Sequence, residues 1–353
     1  MERNETFDTF KFLAMFGVVA IHTGTFQHTG EGEYLDFVVD AFFRFGVAYF
    51  FMVAGFFLMN KTSEAESPLD YVKKYLGKLG KILLTWSLFY FIYDMIRLYL
   101  LAEKKTLGAA LTVWKGYFLE FFHWQTILYG ASETHYHLWY LYALIWCAAI
   151  LYIFIRFNLV KVLLLVSFVL NMIGLLGQSY NFFYELNIQT RDPFFFGLFY
   201  TALGAVGAKY KNSLQLKARK INTFTMVLLL FTFSALQVVE AYISYYNFGG
   251  KVGNYFIMTI PLVLFMLLLA LRFPHLGRGT WFNKIGKNTL GIYVIHAFFI
   301  SLLLTILTLG KWEELKDTVW WGLGFTPFIF LISYYASVLL QQVKKSLKAR
   351  KRV

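Results

Sequence analysis

Long apolar runs, each close to 20 residues, alternate with short polar stretches along almost the whole chain. A helix rises about 1.5 Å per residue, so a run of that length spans the roughly 30 Å hydrocarbon core of a bilayer. Ten runs have this character: 7–26, 37–59, 81–101, 137–155, 159–177, 193–209, 222–247, 252–271, 288–309 and 318–340. The sixth is short and glycine-rich. Between the third and fourth lies a segment too long for a turn, residues 102–136, whose aromatic and apolar content predicts an interfacial or re-entrant helix. The pattern predicts an all-α, polytopic membrane helical bundle of about ten transmembrane helices. No repeat, linker or low-complexity tract divides it, so residues 1–353 are expected to form one domain.

Composition narrows the class further. The chain is 58% hydrophobic and 21% aromatic but only 15% charged, well away from an ordinary soluble domain. Lysine and arginine are retained on the cytoplasmic side of bacterial membranes. With the N-terminus inside, most of the 33 basic residues fall on inner segments, including the tail 341–353. The acidic residues lean to the outer segments. Both termini are therefore expected in the cytoplasm of a bacterial cell, with the chain multi-pass in its plasma membrane. The net charge of +13 follows from this topology rather than from nucleic-acid binding. Anionic lipid of the bilayer is the expected partner of the inner face, a phosphate-bearing cytosolic ligand the sharper alternative. A single cysteine, Cys147, allows no internal disulfide and argues against a metal cluster. No small-x-small cleavage site follows the first run, so it is read as a retained helix.

Ionisable residues within spans are costly and commonly functional. Here they are Asp8, Lys11, His22, Asp40, Arg44, Asp94, Arg97, Glu240 and His296. Helical spacing pairs Asp8 with Lys11, Asp40 with Arg44 and Asp94 with Arg97. Depth separates them: Asp8 and Lys11 sit at the inner end of the first run. Asp40, Arg44, Asp94, Arg97 and Glu240 fall in outer halves, and His137 opens the fourth run on the outer side. Lys11 and His22 are eleven positions apart, about three helical turns, which places them on one face about 16 Å apart. The sequence thus predicts a polar cavity facing outward, a basic surface facing inward, and His22 between the two.

Several blocks resemble the integral-membrane acyltransferase family 3. Asp8, Lys11 and His22 occupy its D-x-x-R-x10-H pattern, with lysine in place of the usual arginine. "RFGVAYFFMVAGFFL" from Arg44 resembles its F-F-x-x-S-G-F block, with Ala54 at the serine. "YVKKYLGKLGKIL", "HLWYL" from His137, "RDPFFFGLFYTALGA" and "TLGIYVIH" ending at His296 follow in family order. The form with an arginine upstream of the second block resembles a branch of antigen and exopolysaccharide acyltransferases. That branch includes the membrane domains of vancomycin-resistance serine racemases.

The resemblance implies transfer of an acyl group, acetyl by expectation, from cytosolic acyl-coenzyme A to an envelope glycan or lipid-linked sugar outside. It implies His22 as general base, with Glu240, Asp40 or Asp94 to orient the imidazole or accept hydrogen bonds from the sugar; of these Glu240 is grouped with His22 as catalytic. Lys11, Lys74, Lys78 and Lys81 would hold the phosphates of the donor. Asp40, Arg44, Asp94, Arg97, His137, Trp139 and His296 would contact the acceptor. No metal is implied. His296 is either a second catalytic group or a structural hydrogen-bond partner between helices. A competing class is a small-molecule transporter without chemistry, which intramembrane charges would serve equally well.

Overall fold

A computed structural model describes residues 3–24, 26–27, 32–102, 106–123, 125–126 and 134–350. No strand occurs among the described residues. The first helices are α1 (Glu5–Thr23), α2 (Gly32–Phe43), α3 (Phe45–Glu64), α4 (Pro68–Leu101) and α5 (Leu107–Phe121). After a 3-10 turn, Tyr136–Leu138, come α6 (Trp139–Arg156) and α7 (Val160–Leu175). A π turn, Pro193–Gly197, leads into α8 (Leu198–Lys209), then α9 (Lys211–Lys220) and α10 (Thr223–Tyr242). The chain closes with α11 (Thr259–Arg272), α12 (Trp281–Gly286), α13 (Thr289–Gly310) and α14 (Val319–Arg350).

Every predicted run falls on one of these helices or on a consecutive pair. Among the described residues, six stretches are long and apolar enough to cross a bilayer: Gly32–Glu64, Pro68–Leu101, Tyr136–Arg156, Thr223–Asn247, Thr289–Gly310 and Val319–Arg350. α7 and α11 are shorter apolar helices. The protein is an all-helical, multi-pass membrane protein.

Boundaries differ from the expectation in two places. The run 252–271 becomes helical only at Thr259. Three glycines precede it, and Gly249 takes a left-handed φ of 66°. The run 193–209 opens as a π turn whose Asp192 carboxylate accepts from Phe195 N at 2.7 Å. Within 102–136 the expected helix exists as α5, started by Thr106, whose hydroxyl accepts from Ala109 N. Residues 103–105, 124 and 127–133 of that segment, and 351–353 of the basic tail, lie outside the described residues.

The helices pack as two compact units. The first comprises Met1–Val18, Phe37–Gly80 and Ala143–Gly286. Its closest contact is α3 against α8. A β-carbon at Gly55 would overlap the carbonyl of Thr201, and one at Gly204 that of Met52. Backbones approach this closely only where both helices carry small residues. The start of α1 is stitched to the end of α11 and to α12: Asn4 Nδ2 donates to Ala270 O at 2.7 Å and Asn283 Nδ2 to Glu5 O at 2.8 Å. A β-carbon at Gly286 would overlap the carbonyl of Asp8.

The second unit comprises Val19–Asp36, Lys81–Tyr142 and Lys287–Val353. Here Tyr90 of α4 ties into α13, donating its hydroxyl to Val294 O at 2.9 Å while accepting from Phe298 N at 3.1 Å. Tyr293 Oη donates to the carbonyl of His137. Thr23, the last residue of α1, meets Thr326 of α14 hydroxyl to hydroxyl at 2.6 Å.

Candidate functional site

The second unit holds a cavity of about 350 Å³. Its described lining is His22, Arg97, Leu101, Thr134, Tyr136 and the α13 residues Ala297, Ile300, Ser301, Leu304, Thr305 and Thr308. Those α13 positions recur every three or four residues, so one helix face forms a wall that carries hydroxyls at 301, 305 and 308.

His22 enters from the last turn of α1. Its Nδ1 lies 3.2 Å from Tyr136 Oη, and its ring stacks on that of His296 with centroids 5.4 Å apart. His296 is fully buried, and its Nδ1 is 2.7 Å from the carbonyl oxygen of Tyr293. A carbonyl can only accept, so Nδ1 carries the hydrogen and Nε2 keeps a lone pair. That Nε2 is buried without a hydrogen-bond partner. His137 packs edge-on against His296 at 4.9 Å, and neither of its buried ring nitrogens has a partner. Three histidines thus form one contiguous cluster. Tyr136, which the sequence reading passed over, sits between two histidines in "HYHLWYL"; that context is the signal that could have found it.

Asp94 and Arg97 form the other polar part of this unit. The Asp94 carboxylate is fully buried and accepts from Tyr117 Oη at 3.1 Å, Thr134 N at 3.3 Å and the Thr134 hydroxyl. Arg97 Nε adds a longer contact at 3.4 Å. Tyr93 Oη donates to Ser301 Oγ at 3.0 Å, which carries the polar network to the cavity wall. Trp139 is buried at the head of α6 and is not among the described lining residues.

The first unit holds the remaining predicted residues apart from Lys81. Asp8 accepts from Arg3 at 2.8 Å and from Lys11 at 3.2 Å. These three, with Asn4, Lys61 and Lys211, line a pocket of about 250 Å³. Lys11 Nζ also lies 5.3 Å from the centre of the Phe57 ring. Lys74, Lys78 and Lys81 are exposed on α4, and neither Lys74 nor Lys78 lines this pocket. The basic groups beside Lys11 are instead Arg3, Lys61 and Lys211, which are distant in sequence and carry no common motif.

Asp40 and Arg44 pair through two contacts of 2.7 and 2.8 Å, and Arg44 Nη1 donates to Asn254 Oδ1 at 2.7 Å. Asn254 also accepts from Arg191 and donates to Gln178. Glu240 accepts from Tyr180 Oη at 2.7 Å, Ile257 N at 2.7 Å and Met258 N at 2.9 Å. The two backbone donors immediately precede α11, so this carboxylate fixes where that helix begins. Among the described residues, no group of histidine, cysteine, aspartate or glutamate has metal-binding geometry.

The family pattern of an acyltransferase domain matches residues 4–338, nearly the whole chain. The chain belongs to acyltransferase family 3. Among the relatives of this family 3 protein is an amino-acid racemase of Enterococcus faecalis, 28% identical over 98% of this chain and 46% of its own length. A second amino-acid racemase of that organism is 30% identical over 65% of the chain and 32% of its own length. A serine/alanine racemase of Enterococcus gallinarum is 27% identical over 85% and 41% respectively. The chain spans less than half the length of these relatives. No solved structure matches it.

Proposed function

We propose that this family 3 acyltransferase moves an acetyl group from cytosolic acetyl-coenzyme A to a hydroxyl of an extracytoplasmic envelope glycan or lipid-linked sugar, with His22 as general base. The observation that carries the reading is the cavity wall at His22, where Tyr136 and His296 brace the imidazole from two sides. With Nδ1–H given to Tyr136 Oη, the lone pair resides on Nε2, the tautomer a base requires. His22 takes the proton of the acceptor hydroxyl as its oxygen attacks the thioester carbonyl. The carbon–oxygen bond forms, the carbon–sulfur bond breaks, and the imidazolium returns the proton to the departing thiolate. The pocket of Arg3, Lys11, Lys61 and Lys211 suits the phosphates of the donor, with the lysines acting as point charges. α1 is unbroken from Glu5 to Thr23, so one helix carries both Lys11 and His22.

His22→Ala is expected to keep the purified protein folded while lowering acceptor-dependent release of free coenzyme A by roughly 10²- to 10⁴-fold, the usual worth of a general base. Release at the normal rate would remove His22 from the mechanism. A second reading, movement of an amino acid across the membrane, draws on the relatives being amino-acid racemases. Substrate flux into vesicles without any thioester cleavage would favour it.

A further inference from the structure

Four hydroxyls around the His22 cavity share one direction. Asp94 is paired with Arg97 and acts as a carboxylate, which can only accept. The hydrogen of the Thr134 hydroxyl therefore goes to Asp94. Ser301 Oγ lies 3.4 Å from Thr134 Oγ1, and because Thr134 already donates elsewhere, the hydrogen between them belongs to Ser301. Tyr93 Oη donates in turn to Ser301 Oγ at 3.0 Å. Tyr93, Ser301 and Thr134 thus form a chain of hydroxyls whose hydrogens all run toward one carboxylate. Thr305 donates to the carbonyl of Ser301 at 2.7 Å, and Thr308 to the Glu313 carboxylate at 2.9 Å. A hydroxyl has one hydrogen and two lone pairs. Thr134, Ser301, Thr305 and Thr308 therefore line the cavity with their hydrogens spent on the protein and at least one lone pair left on each. Arg97 is engaged within the protein through more than its contact to Asp94.

A wall whose hydrogens are spent accepts from a ligand and has little to give it. A ligand oxygen without a hydrogen, such as that of an ether or an ester, meets lone pairs there and loses its hydrogen bonds to water unreplaced. The cavity of about 350 Å³ is near the small end of the roughly 300–1,000 Å³ range of small-molecule sites, which suits one sugar ring rather than a chain. We propose that its ligand is a polyol of sugar-ring size, recognised by the hydrogens of several free hydroxyls, so that an ether, ester or fluorine at those positions is rejected. The assignment of this polyol as the acyl acceptor rests on the acyl-transfer reading above; the recognition of hydroxyl hydrogens does not. On that reading, an acyl ester already standing at a recognised position blocks a further transfer to the same ring.

The test is thermal stabilisation of the purified protein by glucose, galactose, ribitol and myo-inositol, at least one of which is expected to stabilise it. That compound is then set beside its counterparts carrying a single O-methyl group or a single fluorine in place of a hydroxyl. Fluorine keeps nearly the size of the hydroxyl and removes its hydrogen. Loss of one recognised hydrogen is expected to weaken binding roughly 2- to 12-fold, the net worth of a neutral hydrogen bond. Thr305→Val and Thr308→Val are expected to weaken the parent compound by a similar factor and each to erase the preference for hydroxyl over fluorine at one ring position. Thr305→Ser retains that preference. A purely structural role for these threonines would lower stability without ligand and leave the preference intact. The proposal is overturned by fluoro and methyl counterparts that stabilise as well as the parent, by a preference that survives in both valine variants, or by no stabilisation from any of the four compounds. Hydroxyl-selective binding without release of free coenzyme A from acetyl-coenzyme A would sink the acyl-transfer reading alone. Release at equal rates with the parent and its fluoro counterparts would do the reverse.

Discussion

Buried histidines in this protein are held by rings more than by hydrogen bonds. His135, in the segment before the 3-10 turn, lies between Tyr90 and Phe121 with both nitrogens unpartnered. Burial pushes its imidazole down to about 4, against about 6.5 in an unfolded chain. Between those values the unfolded chain takes up a proton that the folded one refuses. Stability tied to His135 is therefore complete above about pH 6.5 and is lost as the pH falls toward 4. The loss is about 3 kcal/mol at the acid end. His135→Phe is expected to flatten the fall in thermal midpoint between pH 6.5 and 4; an unchanged slope would assign it to other groups. Residue chemistry was partly legible in the sequence. Helical spacing anticipated the Asp8–Lys11, Asp40–Arg44 and Asp94–Arg97 pairs, all of which form. Spacing could not show that Asp94 is also claimed by Thr134, 40 positions away, or that both Glu240 oxygens are engaged ahead of α11. Those partners arrive through tertiary packing.

Among the helices, α3 and α8 carry the strictest steric demand. Gly55 and Gly204 each face a backbone carbonyl of the other helix, with no flexible side chain to give way. Gly204→Leu is expected to separate the pair and to cost at least about 3 kcal/mol, the upper range for overpacking. Gly108→Leu in α5, where a β-carbon meets nothing, serves as the control. Comparable detergent-solubility profiles for the two variants would refute the argument. The sixth run is glycine-rich in part because of the residue that makes this contact, Gly204. Hydropathy scores apolar length and is blind to backbone approach. The hydroxyl wall of α13 was legible in principle from Ser301, Thr305 and Thr308, but inside so apolar a helix such residues are also explained by bonding to their own backbone, as Thr305 does to Ser301 O.

For the whole molecule, the alternation of loop charge makes a prediction that single helices do not. Cys147, the only cysteine, is fully buried, so the native chain provides a quiet background for thiol labelling. Glu313→Cys is expected to react with an impermeant reagent added to intact cells, and Lys348→Cys only after the membrane is opened. Labelling of both from outside would break the ten-span topology. The class and the helix positions were readable because bilayer thickness imposes a length on every span. Which helices pack together was not readable, since lipid and core are equally apolar and hydropathy cannot rank partners.

The α3–α8 contact also has a consequence in time. Gly55 and Gly204 are about 150 residues apart, and synthesis adds roughly 5–20 residues per second. α3 is therefore made roughly 7 to 30 seconds before its partner exists. During that interval its small-residue groove must be kept from competing helices, which makes the order of chain emergence, and not only the final contacts, a determinant of how much protein matures.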